Sequence, residues 1–211
     1  MLDKNNQKGA TMMEMLGVLT IIIMLGVSAI KLIGNIFDMF KQNLVVNEVR
    51  DLQKVISERY KFEGNYKGLL ENRTPEQVSA FLCTSKMAPY QMCSNGLLHH
   101  RMGGEVWVMP IVNYDGDGNE LTDYSKYALV FWGLTDRTCV NAAQINWYMQ
   151  QKSDIFKMVI NGDKADKRLS VDMPYNMEEG SKIFPVNPSD VMRACSNGDE
   201  DDKNKIEWVF F

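Results

Sequence analysis

Glu14 is the first residue whose type and position suggest chemistry. It stands at the head of an uncharged, mostly apolar run, residues 15–30. A carboxylate in such a run costs a few kcal/mol when the segment enters a membrane. Between Ala10 and Ile30 no basic side chain is present to pair with it. Four cysteines follow: Cys83, Cys93, Cys139 and Cys195. An even count in an exported domain reads as disulfides, and four cysteines allow three pairings. Cys83 and Cys93 lack the second close Cys or His pair that a zinc site needs. Asp115-x-Asp117-x-Asn119 offers three oxygen ligands at alternate positions, like the start of a calcium loop. Position six of such a loop would be Glu120 instead of Gly, and position twelve Lys126 instead of Glu. With Gly116 and Gly118 the cluster reads as a turn, and Asp115, Asp117 and Asn119 remain a minor metal candidate. His99 and His100 are adjacent, so their side chains diverge, and a surface loop is the plain reading. There is no phosphate loop, no nucleophile elbow and no His-Glu-x-x-His. These residues specify neither an enzyme nor a cofactor.

The elements that must position Glu14 begin at the leader. Residues 1–8 are polar and carry Lys4 and Lys8 ahead of the apolar run. That order keeps the leader cytoplasmic and sends the rest outward, against the weaker opposing signal of Lys31. No small-residue cleavage site follows the run, as a secretory signal would require. An ordinary anchor of about 20 apolar residues gives no reason for Glu14. Beyond the run, Ile33, Phe37, Phe40 and Leu44 recur at spacings of three and four. Val45, Val49, Leu52, Ile56 and Tyr60 continue after a one-residue shift. This is a helical stripe. One helix from Ala10 to Phe62 is therefore expected, about 80 Å long at 1.5 Å per residue. Gly17, Gly26 and Gly34 lie in it, and Gly64 is a natural C-cap.

The rest of the chain reads as a mixed domain. Thr74-Pro75-Glu76-Gln77 starts a helix to Thr84, with Thr74 as N-cap and Pro75 at the first position. Strands are expected over 105–112 and 124–132, separated by the Asp115 turn. Val140, Ala143 and Trp147 predict a helix over 135–150. Residues 155–160 and 206–211 are strand-like, and the acidic run 199–202 reads as a solvated loop. The fold class is α+β: a long N-terminal helix, membrane-embedded in its first half, packed on a mainly antiparallel sheet with a disulfide-bonded C-terminal region. With 23 basic and 27 acidic side chains and no basic block, the chain is a poor candidate for nucleic acid.

The order basic leader, Gly9, four residues, Glu14, apolar helix resembles the type IV prepilin signal. The resemblance implies a peptidase cut between Gly9 and Ala10, methylation of the new N-terminus, and pairing of Glu14 with a subunit's terminal amine. Arg59 to Tyr66 also resembles the end of the long pilin helix. Tyr127-Ala128-Leu129-Val130-Phe131-Trp132-Gly133-Leu134-Thr135 and then Cys139 is similar to type IVb pilins, including the toxin-coregulated, longus-type and conjugative thin-pilus groups. There a strand leads through Gly-Leu-Thr to a helical cysteine bonded to one near the C-terminus. This implies Cys139–Cys195 and, with it, Cys83–Cys93. The chain departs from the family in having Ala10 where Phe or Met is common, no proline before Pro75, and a leader shorter than type IVb leaders.

The resemblance divides the chain into a cleaved leader, 1–9; a transmembrane and assembly segment, 10–33; an amphipathic segment, 34–62; and an ectodomain, 63–211. It implies a structural subunit of a type IVb-like pilus, for adhesion, aggregation or conjugative contact. The implied partners are identical subunits, a prepilin peptidase, an inner-membrane assembly platform, and membrane lipid before assembly. The implied location is the bacterial inner membrane, then an extracellular pilus. A pseudopilin of a type II secretion system is the alternative. A membrane-anchored enzyme or binding protein with an unrelated ectodomain is the third reading, and a concave pocket with converging polar groups would favour it.

Overall fold

The structure is a computed structural model. It describes residues 12–60, 62–115, 117, 119–147, 149, 154–163, 167–172, 180–196 and 203–211. The chain divides into two compact units, Met1–Phe40 and Lys41–Phe211.

Helix α1 runs over Met12–Tyr60. No proline interrupts it, and its three glycines cost helix propensity without breaking the backbone ladder. The chain turns away from it at Gly64, whose φ of +69° suits glycine.

In the second unit α1 buries the stripe Val45, Val49, Leu52, Ile56 and Tyr60. A short helix α2 (Lys67–Leu70) follows, then α3 (Pro75–Thr84). The start of α3 is a capping box. Gln77 N–H donates to Thr74 Oγ1 at 3.3 Å, and Thr74 N–H donates to Gln77 Oε1 at 2.9 Å. Two-residue strands β1 (Cys93–Ser94) and β2 (Leu97–Leu98) form a hairpin. Its turn is Asn95-Gly96, both at positive φ, the usual chemistry of a tight hairpin.

The main sheet has six strands: β3 (Val106–Tyr114), β4 (Glu120–Leu134), β5 (Ile155–Ile160), β6 (Leu169–Asp172), β7 (Lys182–Ile183) and β8 (Asn204–Phe210). Their order is β3-β4-β8-β5-β6-β7. All neighbours are antiparallel except β6 and β7, which are parallel. Pro110 sits on the edge strand β3, where a missing N–H is tolerated. The β3–β4 register jumps from Pro110↔Tyr127 to Val112↔Thr122, so residues 123–126 bulge. Tyr124, at φ +53°, turns its carbonyl to accept Tyr66 N–H at 2.8 Å.

Alternation splits the sheet into two faces. Tyr127, Leu129, Phe131, Ile206, Trp208 and Phe210 join the α1 stripe in one core. Ala128, Val130 and Val209 point the other way, beside Trp107, Met109, Ile111, Trp132 and Phe156. Lysines cover that second face. Lys205 Nζ lies 4.4 Å from the Trp132 ring, and Lys126 Nζ lies 4.5 Å from Phe156.

The helix expected over 135–150 is interrupted at residues 145–146, and Trp147 and Met149 are helical again. Helix α4 spans Asp136–Gln144, and Ile145 is extended at φ −64°, ψ 134°. Burial of Trp147 accounts for the break. Its indole N–H returns to Ala142 O at 2.9 Å, and its ring meets Trp208 at 5.5 Å. Helix α5 (Pro188–Ala194) was not foreseen, nor were β6 and β7. The 199–202 run lies outside the described residues.

Candidate functional site: an apolar helix half on a disulfide-framed domain

Gly9 and Ala10 lie outside the described residues, and Glu14 lies in α1. Exposure in the apolar run is described for Met13 and residues 15–26. Met15, Leu16, Val18, Leu19, Ile21, Ile22, Ile23, Met24 and Leu25 are between 53% and 66% exposed. They point to every side of the helix. Thr20 hides its hydroxyl by donating to Leu16 O at 2.8 Å. A Cβ added at Gly17 or Gly26 would meet nothing within 4 Å, so nothing in the described chain demands glycine at these positions. Among the described residues no helix is long and apolar enough to cross a membrane.

The other half of α1 is fixed from several directions. Tyr127 donates its hydroxyl to Gln53 O at 3.4 Å. Beyond the helix end, Tyr66 donates its hydroxyl to Phe211 O at 2.6 Å. Glu48 is 1% exposed yet ionisable. Arg101 Nε lies 3.2 Å from its Oε1, and Arg101 N–H donates to the same oxygen at 3.1 Å. Burial raises the Glu48 pKa to about 7, although both Arg101 contacts oppose the rise. The sequence reading missed this pair. The available signal was an acid inside the stripe, between Val45–Val46 and Val49.

The Gly-Leu-Thr segment makes a corner. Gly133 has φ +78°, and a Cβ there would meet the Cα of Gly104 at 3.3 Å. Leu134 is fully buried. Thr135 caps α4 by accepting Thr138 N–H at 3.3 Å. Cys139 therefore sits one turn inside a capped helix and bonds Cys195 across a separation of 56 residues. The second bond is Cys83–Cys93, separation 10. Asn204 anchors the frame. Its Nδ2 donates to Asp136 Oδ1 at 2.8 Å and to Cys195 O at 3.1 Å. Asn161 Nδ2 donates to Asn204 Oδ1 at 2.8 Å and to Ala194 O at 2.7 Å. These buried amides satisfy carbonyls that the disulfide corner would otherwise strand.

The Asp115 turn is held by its own carboxylate. Asp115 Oδ1 accepts N–H from Asp117 at 3.0 Å and from Asn119 at 2.8 Å, while Oδ2 accepts Asn119 Nδ2 at 3.0 Å. Among the described residues no group of three or more His, Cys, Asp and Glu could hold a metal. The surface-loop reading of the two histidines fails for His100, which is 1% exposed. Its ring is drawn inside by Trp132 O and Phe131.

A cavity of about 360 Å³ is lined by Gln53, Lys54, Ser57, Glu58, Tyr66, Asp154 and Phe211. It holds no nucleophile–base pair. Ser57 Oγ meets the Gln53 amide at 3.2 Å and the Tyr127 hydroxyl at 3.5 Å, and neither is a base.

No family model matches the chain, and no curated protein matches it. Solved structures do. One is a type IVb pilin from Salmonella typhi: 16% identity, 78% of this chain and 96% of that chain covered, TM-score 0.47. Another is TcpA, a type IV pilin from Vibrio cholerae El Tor biotype: 11% identity, 80% and 98% covered, TM-score 0.49. The chain is similar to these solved type IV pilins. A likeness of this size assigns no function, and the functional reading rests on the chain's own residues.

Proposed function

We propose that this chain is a structural subunit of a type IVb-like pilus, with no catalytic role. The carrying observation is the helix half at 13–25, apolar on every side and exposed in the isolated chain. A helix that is apolar all round needs surroundings on all sides, and either lipid or other helices supply them. The Gly9–Ala10 junction before Glu14 and the Gly133-Leu134-Thr135 corner leading to Cys139 support the same reading.

In mechanism, a peptidase cuts after Gly9. The new helix waits in the inner membrane as a monomer. On assembly the same surface packs against identical copies, which removes it from both lipid and water. One repeated screw operation through a heterologous contact gives an open fibre. Glu14 pairs with the amine freed at Ala10, on its own helix or on the neighbour's. The neighbour's pairing fixes the axial register of the incoming subunit.

Sheared cell-surface fractions test this. Filaments should appear whose main subunit lacks residues 1–9 by intact mass, with or without one added methyl. A main subunit retaining Met1–Gly9 overturns the reading. Loss of secretion without surface filaments would instead establish the pseudopilin alternative.

A further inference from the structure

The cavity of about 360 Å³ lies within the second unit, and its size is at the lower end for small-ligand clefts. Its wall spends its donors on itself. The Gln53 side chain is 4% exposed. Its Nε2 donates to Ser57 Oγ at 3.2 Å and to Asp154 Oδ2 at 3.3 Å. A carboxylate only accepts, so the amide nitrogen must face Asp154, and Oε1 is left as an acceptor. Tyr66 donates its hydroxyl to Phe211 O at 2.6 Å, and Phe211 N–H donates to Asp154 O at 2.9 Å. Burial raises the pKa of Tyr66, Ser57 opposes the rise and the Asp154 charge adds to it, so the Tyr66 proton stays in its bond.

What remains on the wall accepts. Gln53 Oε1, the second oxygen of Asp154 and the Glu58 carboxylate all need protons brought to them. Among the described residues lining the cavity, two carboxylates stand against one cation, Lys54. Water brings donors without charge, whereas a cation brings both. Tyr66 and Phe211 add ring surface to the same wall, where a short carbon stem can lie.

We propose that this cavity binds a small organic guanidinium, its head on Asp154 and Glu58 and its stem against Tyr66 and Phe211. The planar head carries five donors in a fixed fork, enough to reach a carboxylate and Gln53 Oε1 at once. An ammonium has three donors on one atom and fits this spread of acceptors less well. The site uses none of residues 13–25, and binding is read on the unassembled chain. Its outcome and that of the pilus reading are therefore independent.

Titration of butylguanidinium into the full chain in uncharged detergent micelles, followed by two-dimensional amide NMR, tests the site. The Gln53 side-chain amide and the Phe211 backbone amide should shift saturably. The Asn119 side-chain amide, which donates to the Asp115 carboxylate, should not shift, and butyrate should move none of the three. Asp154→Asn keeps an acceptor for Gln53 Nε2 and removes the charge, so it should weaken binding about fivefold, and Lys54→Gln should tighten it about twofold. Ser57→Phe fills the cavity and leaves every charge in place, so it should abolish the saturable shifts. No saturable shift in the wild type overturns the proposal, as does wild-type affinity in Asp154→Asn. Wild-type affinity in Ser57→Phe would mean pairing with surface charge alone, and overturns it too. If Ser57→Phe does not fold, nuclear Overhauser contacts between the butyl protons and the wild-type Tyr66 ring decide. Their presence supports the site, and their absence overturns it.

Discussion

Residues 13–25 and 45–60 of α1 differ in how they distribute apolar side chains, and they end in opposite environments. The first stretch is apolar at nearly every position, and its large side chains are at least 53% exposed. The second is apolar on one stripe, where Val45, Val49, Leu52, Ile56 and Tyr60 are each at most 6% exposed. A stripe needs one partner, and the sheet of its own domain supplies it. An all-round band cannot be satisfied by one face of anything. The difference separates residues that fold this chain from residues that, on our proposal, join it to copies of itself. Charges follow the same division. Glu48 in the striped half finds Arg101 inside the chain. Glu14 has no basic side chain between Ala10 and Ile30 to pair with.

The largest expected effect therefore lies at Glu14. Glu14→Ala should permit insertion and cleavage yet reduce sheared filament by about tenfold or more, since an unpaired charge in an apolar setting costs several kcal/mol. Glu14→Gln keeps hydrogen bonding and should be milder. Immunoblots of membrane and sheared fractions read both, and normal filament from Glu14→Ala would break the pairing account.

The disulfides come next, and they act on the domain alone. By loop length, Cys195→Ser should cost about 4 kcal/mol and Cys93→Ser about 3 kcal/mol. Urea unfolding of the full chain in detergent, followed by tryptophan fluorescence, measures both. Equal or reversed losses would show that loop entropy does not govern the frame.

A paired substitution sharpens the contrast within α1. Leu52→Ala should destabilise the domain by about 2–5 kcal/mol. Ile22→Ala should leave domain unfolding unchanged and lower filament yield. If Ile22→Ala destabilised the domain as much, the division of the helix would fail.

The smallest effect is electrostatic. The Glu48 pKa is raised to about 7 by burial, so its contribution to stability is present below 4.5 and lost as pH rises through about 7. Glu48→Gln should gain on the wild type between about pH 4.5 and 7 and hold level above that in the same unfolding assay. A stability difference that does not change with pH would mean that Glu48 titrates normally.

Much of this contrast was legible in the sequence. The spacing of Val45, Val49, Leu52, Ile56 and Tyr60 marks a striped helix, and Thr74-Pro75 marks the start of α3. Spacing left three cysteine pairings open, because loop length says nothing about which thiols meet. The two residues of β7 pair in parallel with β6, and so short a strand has no period to read. Trp147 reads as a helical position and is one, but α4 ends at Gln144 and the extended Ile145 separates the two, with Trp147 buried against Trp208. His100 sits in a polar stretch, and its burial depends on Trp132, 32 residues away. Glycines 103 and 104 were the only local hint of a tight turn there. At the candidate assembly site the sequence supplied the band and Glu14, and the structure adds that a Cβ at Gly17 or Gly26 would meet nothing within 4 Å.

The central claim is that residues 13–25 form the contact between subunits. Cryo-electron microscopy of filaments sheared from cells tests it most directly. The account predicts helices 13–25 bundled along the fibre axis against other copies, each chain starting at Ala10, with the disulfide-framed domains outside. A fibre held by domain contacts alone, with 13–25 outside every subunit contact, would contradict it.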